Sequence, residues 1–169
     1  KNHIVIIRSS IYPGVSEKIF NIIKKHCKNL SYCPERIAQG KSLIELPKLS
    51  QIISGKNIKA KKESGKIFKK ICRKIIYTKI TEAELIKLFS NAYRYINFSI
   101  SNQFYLICKD QGLDFFKIRN FMKENYKRNE NIPMAGFTAG PCLLKDTMQL
   151  SSFYNHRFPL FHSAMSINE

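Results

Sequence analysis

A long run of residues without helix breakers constrains the fold of this chain more than any other feature. From Thr81 to Gln111 the sequence contains neither glycine nor proline. The run opens with "TEAE", which places Thr81 as an N-cap and Glu84 three positions later, the spacing of a capping box. We therefore predict one helix of about 30 residues, roughly 45 Å long. Such a helix is longer than a small domain is wide, so we expect part of it to pack against a partner chain.

Short apolar runs alternate with amphipathic stretches in the first 79 residues. "IVIIRSS" at residues 4–10 is a β-branched run typical of a buried parallel strand, and "LSYCPER" and "SQIISG" predict two more strands. Helices are expected in "EKIFNIIKKH", which Ser16 would cap, and in "ESGKIFKKICRKI". The second helix would place Ile67, Ile71 and Ile75 on one face. This alternation indicates an α/β architecture.

The chain after the long helix is predicted to be all-helical. A shorter helix is expected from Asp114 to about Asn125, followed by helices in "KDTMQLSSFY" and "PLFHSAMSINE". We therefore divide the chain into an α/β domain at residues 1–79 and a helical domain at residues 80–169.

The net charge of +17 could indicate a protein that binds nucleic acid or a membrane surface. However, 22 of the 29 basic residues are lysines spread along the chain. No basic strip is interleaved with the aromatic residues on which nucleic-acid bases stack. The sequence has no signal-peptide pattern, and no apolar run approaches the length of a membrane span. We therefore expect a cytoplasmic protein that binds neither nucleic acid nor membranes.

The cysteines predict reduced thiols. They are odd in number, none is spaced as C-x-x-C, and none has a histidine at ligand spacing; they are Cys27, Cys33, Cys72, Cys108 and Cys142. Neither a zinc site nor a disulfide framework is therefore indicated, and we expect no bound metal.

Two groups of polar residues have a structural and a functional interpretation. On the long helix, Lys87, Asn91 and Arg94 have i, i+4, i+7 spacing, so they lie within roughly 60° of one another. They could form a solvated face, but a polar strip so short of acids suits an anionic ligand. Glu35 follows Pro34 at the end of a predicted strand, where ligands collect in open α/β sheets. A surface turn explains Glu35 equally well.

Residues 136–146, "GFTAGPCLLKD", place a thiol between a glycine-containing loop and a Lys-Asp pair. Gly136 and Gly140 permit tight turns, and Asp146 comes at the start of a predicted helix. A helix N-terminus together with Lys145 would favour a reactive thiolate at Cys142. A buried structural cysteine is the alternative, and local chemistry leaves the two evenly balanced.

Four segments together resemble the UDP-glucose/GDP-mannose dehydrogenase family, in the order in which the family has them. They are "IIRSSIYPG", "CPERIAQGK", "AELIKLFSNAYRYINFSISNQ" and "GFTAGPCLLKD". The resemblance implies the C-terminal half of a Rossmann-like dinucleotide domain followed by an all-helical central domain that makes a homodimer through its long helix. It also implies oxidation of the C6 alcohol of a nucleotide-linked sugar to a carboxylate, with two NAD+ and no metal.

The resemblance carries roles to five residues. Cys142 would be the nucleophile that forms a thiohemiacetal and then a thioester. Lys87 and Asn91 would stabilise the developing oxyanion. Asp146 would orient or deprotonate water, and Glu35 would act as an acid in thioester hydrolysis.

Binding residues are implied in the same way. Ser10 and Lys145 match positions near the cofactor, and Arg94, Arg36 and Gly140 are expected to contact substrate. Arg94, in "NAYR", is similar to the branch of the family that handles UDP-N-acetylhexosamines.

The sequence also departs from the family. Thr138 and Ala139 stand in a loop that usually has more glycine, and Gln39 stands where many members carry an acid or a proline. There is no G-x-G-x-x-G turn for a pyrophosphate, and the family's C-terminal nucleotide-binding domain is missing. We therefore expect a fragment or split-gene product of a dehydrogenase, with a non-catalytic dimerisation module as the alternative.

Overall fold

The structure is a computed structural model that describes residues 3–38, 40–137 and 140–169. Gln39, Thr138 and Ala139, at which the sequence departs from the family pattern, lie outside the described residues. The chain divides into two compact units, Lys1–Leu88 and Phe89–Glu169. None of the helices in the described ranges combines the length and apolar character needed to cross a lipid bilayer.

The first unit is an α/β structure with a four-stranded sheet, which confirms the predicted class. Its elements are β1 (Val5–Ile7), α1 (Val15–Ile23), β2 (Leu30–Tyr32), α2 (Ser42–Glu45), β3 (Gln51–Gly55), α3 (Ile58–Phe68) and β4 (Ile75–Tyr77). The strand order is β1-β2-β3-β4. The β1–β2 and β3–β4 pairs are parallel, whereas β2 and β3 run antiparallel. The sheet is therefore mixed rather than purely parallel.

The core of this unit lies on the two central strands. Every residue of β2 is buried, and so are the first four residues of β3. On one side, Cys33 and Ile53 pack with Phe68. On the other side, Tyr32 and Ile52 pack with Ala83 from the start of the long helix. Apolar burial on both faces explains why these strands read as continuous rather than alternating apolar runs.

The prediction that Ile67, Ile71 and Ile75 share one face of a helix is wrong. Helix α3 begins at Ile58, because Asn57 caps it by accepting a hydrogen bond from the backbone N–H of Ala60 at 2.7 Å. The helix ends at Phe68, and Ile75 opens β4. Ile67 and Ile71 are 46% and 42% exposed. The buried side of α3 instead carries Ala60, Ser64, Gly65 and Phe68.

The second unit is helical. The long helix α4 spans Ile80–Asp110, starts in the first unit and continues through the second, which confirms the predicted long helix. It is followed by α5 (Phe115–Lys123), a short 3-10 turn (Lys127–Asn129), α6 (Pro141–Phe153) and α7 (Pro159–Asn168). Asp114 caps α5 by accepting hydrogen bonds from the N–H groups of Phe116 and Lys117, at 2.8 and 3.3 Å.

The acids at the start of α4 do not form the predicted capping box. Glu82, rather than Glu84, accepts hydrogen bonds from the hydroxyl of Thr78 and from the N–H of Lys79, the latter at 2.9 Å. These two hydrogen bonds lower the pKa of the Glu82 carboxyl. The acid that caps α4 therefore lies two positions before the one that the sequence pattern predicted.

Glu84 instead caps the N-terminus of α1 from a distant position in the sequence. Its carboxylate is fully buried and accepts hydrogen bonds from the backbone N–H groups of Gly14, at 2.7 Å, and Ser16, at 2.9 Å. Gly14 is the N-cap residue and has a φ of 85°, a conformation that glycine adopts without strain. Ser16 lies buried in the first turn, so its prediction as the cap is wrong.

We expect Glu84→Ala to lower the free energy of unfolding of the chain by about 3 kcal/mol, because two buried amide donors lose a charged acceptor. Urea unfolding followed by circular dichroism measures this change. Glu82→Ala is the matched control, since its carboxylate caps α4 from an exposed position; it should cost clearly less. Equal losses in the two variants would contradict the role given to Glu84.

Candidate active site

Cys142 lies in the first turn of α6, where the structure exposes it. Gly140, with a φ of 70°, is the N-cap residue, and Pro141 occupies the first helical position, where its missing N–H costs nothing. Helix α6 thus begins four residues before Lys145, earlier than the sequence pattern predicted. Cys142 is exposed, which excludes its interpretation as a buried core cysteine. The first turn of a helix is also a place that favours negative charge.

The other cysteines have different surroundings. Cys33, Cys72 and Cys108 are buried, and Cys27 is half-buried with its thiol against the carbonyl oxygens of His3 and Asn29. Burial raises the pKa of the Cys33 thiol to about 11 and also raises that of Cys72. Of the five cysteines, Cys142 is therefore the one that a solute can reach freely.

A buried carboxylate lies one turn after Cys142 on α6. The side chain of Asp146 is fully buried, and its Oδ2 accepts a hydrogen bond of 2.6 Å from Nδ2 of Asn91 on α4. Its Oδ1 lies 3.5 Å from Nζ of the more exposed Lys145. The structure thus brings together Asn91, Lys145 and Asp146, and Cys142 lies on α6 with the last two.

In the first unit, Glu35 and Arg36 lie together in a turn after β2. Glu35 accepts hydrogen bonds from the N–H groups of Arg36 and Ile37, at 2.8 and 3.0 Å, and pairs with the Arg8 guanidinium. Arg8 also lies 4.8 Å above the ring of Phe68. The carboxylate of Glu35 is therefore held in a defined turn, an arrangement compatible with both interpretations of this residue.

The remaining predicted residues have varied exposure. Lys87 and Ser10 are half-buried in the first unit, and Arg94 is exposed on α4. Arg36 donates a hydrogen bond of 2.5 Å from Nη2 to the carbonyl of Ser50, so its guanidinium already has a protein partner. Within the described ranges, no three histidine, cysteine, aspartate or glutamate side chains are grouped as metal ligands.

Two cavities in the second unit adjoin the segment that leads to Cys142. One of about 520 Å³ is lined by Asn102, Tyr105, Leu106, Phe116, Ala135, Gly136, Phe137, Ile167 and Asn168. The other, of about 370 Å³, is lined by Phe137, Gly140, Pro141, Leu144, Asn168 and Glu169. Gly140, predicted to contact substrate, therefore borders an open space directly beside the helix that carries the exposed thiol.

Sequence reasoning missed several residues that hold the candidate residues or the segment before Cys142, each within its own unit. Arg8 pairs with Glu35, Asn102 accepts a hydrogen bond from the N–H of Gly136, and Arg119 donates to the carbonyl oxygens of Ile132 and Pro133. Each contact joins residues at least 13 positions apart, so no local pattern announces it. Arg119 is the only arginine of α5, and this is the one signal that sequence reasoning could have used.

Comparison with known proteins now places the chain. The central domain of the UDP-glucose/GDP-mannose dehydrogenase family matches residues 81–169, which include Asn91, Cys142 and Asp146. This chain belongs to that family. A UDP-N-acetyl-D-mannosamine dehydrogenase of Methanococcus vannielii is 37% identical over 124 residues, 71% of this chain and 29% of the relative. Another from Pyrococcus horikoshii is 29% identical over 98% of this chain and 41% of the relative.

Solved structures of family members share the fold. The UDP-D-ManNAc dehydrogenase of Pyrococcus horikoshii superposes with a TM-score of 0.89 at 28% identity, covering 99% of this chain and 42% of that protein. A UDP-N-acetyl-mannosamine dehydrogenase of S. aureus superposes with a TM-score of 0.79 at 25% identity, again over 99% and 42%. The chain therefore spans less than half the length of these dehydrogenases.

A double-mutant cycle on Asn91 and Asp146 should give a coupling energy of about 1.5–3 kcal/mol in urea unfolding, because their hydrogen bond is buried and charge-assisted. A second cycle on Lys145 and Asp146 serves as its control. It should give under about 1 kcal/mol, since Lys145 is largely exposed and its contact is long. The site geometry would be contradicted if the lysine cycle gave the larger coupling.

Proposed function

We propose that this chain carries the reacting residues of a nucleotide-sugar 6-dehydrogenase whose substrate is a UDP-N-acetylhexosamine, with UDP-N-acetyl-D-mannosamine as the first candidate. The observation that carries the proposal is the exposed thiol of Cys142 in the first turn of α6, one turn before the buried Asp146. The relatives from Methanococcus vannielii and Pyrococcus horikoshii bear the name of that substrate. Arg94, in the "NAYR" pattern, is the residue proposed to select the acetamido sugar.

Cys142 would act on the aldehyde formed by the first oxidation of the C6 alcohol. Its thiolate adds to the aldehyde carbon, and the carbonyl oxygen takes up a proton to give a thiohemiacetal on Cys142. Removal of two electrons and two protons converts this adduct into a thioester. Water then attacks the thioester carbon, the C–S bond breaks, and the products are the carboxylate and the free thiolate.

The polar residues on α4 and α6 would support these steps. The amide nitrogen of Asn91 carries two hydrogens, so one can hold Asp146 while the other reaches an oxyanion. Lys87, one turn earlier on α4, would add an ammonium to the same stabilisation. Asp146, held by Asn91, would accept a proton from the attacking water. Glu35, which is held by Arg8 and two amides, is proposed to serve the hydrolytic step as a second carboxyl group.

NAD+ is the proposed oxidant and, when bound, takes up two electrons at each oxidation. The first unit does not offer a cradle for its pyrophosphate at α1, since Glu84 already satisfies the N–H groups of Gly14 and Ser16. Nor does the sequence contain a glycine fingerprint for one. Ser10 and Lys145 remain the proposed contacts to the cofactor, and Arg36 and Gly140 those to the substrate.

We also propose that two copies of the chain associate through α4. Five apolar residues with exposures between 38% and 68% fall within about 80° of one another on this helix. They are Phe89, Tyr93, Ile100, Phe104 and Ile107, and we refer to them as the α4 stripe. Their spacing is that of a coiled-coil seam, which a second copy of the same helix could cover.

The dehydrogenase activity is tested by NADH formation from UDP-N-acetylmannosamine, UDP-N-acetylglucosamine, UDP-glucose and GDP-mannose. We do not expect turnover by this chain alone, because it has no glycine fingerprint for the pyrophosphate of NAD+. Where NADH does form, we expect a UDP-N-acetylhexosamine to be the substrate and Cys142→Ser to abolish the activity, because a hydroxyl at this position does not form the thioester at a useful rate. Turnover that survives in Cys142→Ser would contradict the proposed nucleophile.

The rate of thiol alkylation tests the same site without turnover. Exposure alone cannot make Cys142 react faster in the folded chain than in urea, whereas activation can. We expect faster alkylation in the folded chain and a smaller advantage in Lys87→Ala. Equal or slower alkylation of the folded chain would instead favour the non-catalytic dimerisation module.

The association through α4 is tested by sedimentation equilibrium. The chain should sediment with twice its mass, and Ile100→Asp should shift it to the single chain, because a carboxylate would be buried in the seam. Leu106→Asp is the matched control, since Leu106 is also exposed and apolar but lies about 120° around α4 from Ile100, outside the α4 stripe. A dimer weakened by Leu106→Asp and not by Ile100→Asp would place the interface elsewhere.

A further inference from the structure

The segment that leads to Cys142 is held at its start by two polar side chains. Arg119 on α5 donates from Nη2 to the carbonyl of Ile132 at 2.7 Å, and from Nε to the carbonyl oxygens of Ile132 and Pro133 at 3.1 and 3.0 Å. The buried Ser101 on α4 donates from Oγ to the same Pro133 carbonyl at 3.0 Å. These contacts fix the position of Ile132 and Pro133 against α4 and α5.

A third contact holds the segment closer to the thiol. Oδ1 of Asn102 on α4 accepts a hydrogen bond of 2.7 Å from the backbone N–H of Gly136. Gly136 has a φ of 143°, within the region that favours glycine, so the chain makes a defined turn at this point. Gly136 and Phe137 line the larger cavity, and Phe137 also lines the smaller one.

The other end of the Asn102 amide reaches the last helix. Its Nδ2 donates to Oδ1 of Asn168 on α7 at 2.9 Å, and Nδ2 of Asn168 donates to the carbonyl of Tyr95 at 3.1 Å. The buried Tyr95 hydroxyl in turn donates to Oε1 of Glu169 at 2.8 Å. Burial, followed by this carboxylate, raises the pKa of Tyr95, so the hydroxyl stays a donor. Asn102 therefore links the segment before Cys142 to the hydrogen-bond network of Tyr95 and Asn168.

We propose that Asn102 is a positioning residue, which sets the placement of residues 133–137 ahead of Cys142 by bridging Gly136 to Asn168. The bridge needs one acceptor and one donor on the same short side chain, which asparagine has and an ionised aspartate or an alanine lacks. Its effect would be on the wall of the cavity beside the thiol rather than on the chemistry itself. The inference rests on the proposed function for its purpose, but not for its test.

The test follows a trifluoromethyl label on Cys142 by 19F NMR, in a Cys27→Ser background so that no other accessible thiol is labelled. The chain with Asn102 should give one resonance, and Asn102→Ala should give a second resonance or at least a twofold broader line. Hydrogen exchange at the Gly136 amide should become about fivefold faster in Asn102→Ala, the loss expected for one hydrogen bond. Asn102→Asp keeps the acceptor and should retain slow exchange at Gly136.

Ser101→Ala is the control, because it removes a buried hydrogen bond to the same segment at Pro133 without touching Gly136. It should leave the label unchanged, and thermal unfolding should show that Asn102→Ala remains folded. An unchanged label in Asn102→Ala, or an equal change in Ser101→Ala, would overturn the proposal. Neither readout needs turnover, so an altered label would support the role of Asn102 whether or not alkylation and NADH formation support the proposed function.

Discussion

The packing of α1 against the start of α4 depends on the buried carboxylate of Glu84. A helix N-terminus leaves N–H groups that need acceptors, and in α1 a side chain 68 to 70 positions later in the sequence supplies them. This contact fixes which side of α4 faces α1. Asn91 follows Glu84 by seven residues, two turns, and so lies on nearly the same side of the helix. Within the second unit, the side chain of Asn91 donates to the buried Asp146.

Local rules predicted the elements whose signals lie close together in the sequence. The glycine- and proline-free run gave α4, and Asp114 before an amphipathic stretch gave α5, with bounds within a few residues. The same rules failed where two signals competed. They named Glu84 as the acid that caps α4, whereas Glu82 accepts those hydrogen bonds and Glu84 is buried against the N–H groups of Gly14 and Ser16.

The site was predictable in its residue types but not in its contacts. The pattern after Gly140 pointed to Cys142 and Asp146, and Pro141 could have located the helix start, since proline is favoured at the first helical position. The complete burial of Asp146 could not be foreseen, because charged side chains are seldom buried unless they are paired. Its partner, Asn91, lies 55 residues away. Such a pairing follows from how helices pack rather than from spacing along the chain.

The exposure of Cys142 also has a consequence for how the protein ages. An accessible thiol in the first turn of a helix is open to peroxide, which converts a thiolate to a sulfenic acid. Cys33, Cys72 and Cys108 are buried and Cys27 is half-buried, so they are poorly placed to resolve that acid as an internal disulfide. A sulfenic acid at Cys142 would instead condense with a small thiol such as glutathione, or with a thiol of a second copy of the chain, to form a mixed disulfide. Loss of alkylatable thiol on storage that a reductant restores would then trace to this single side chain.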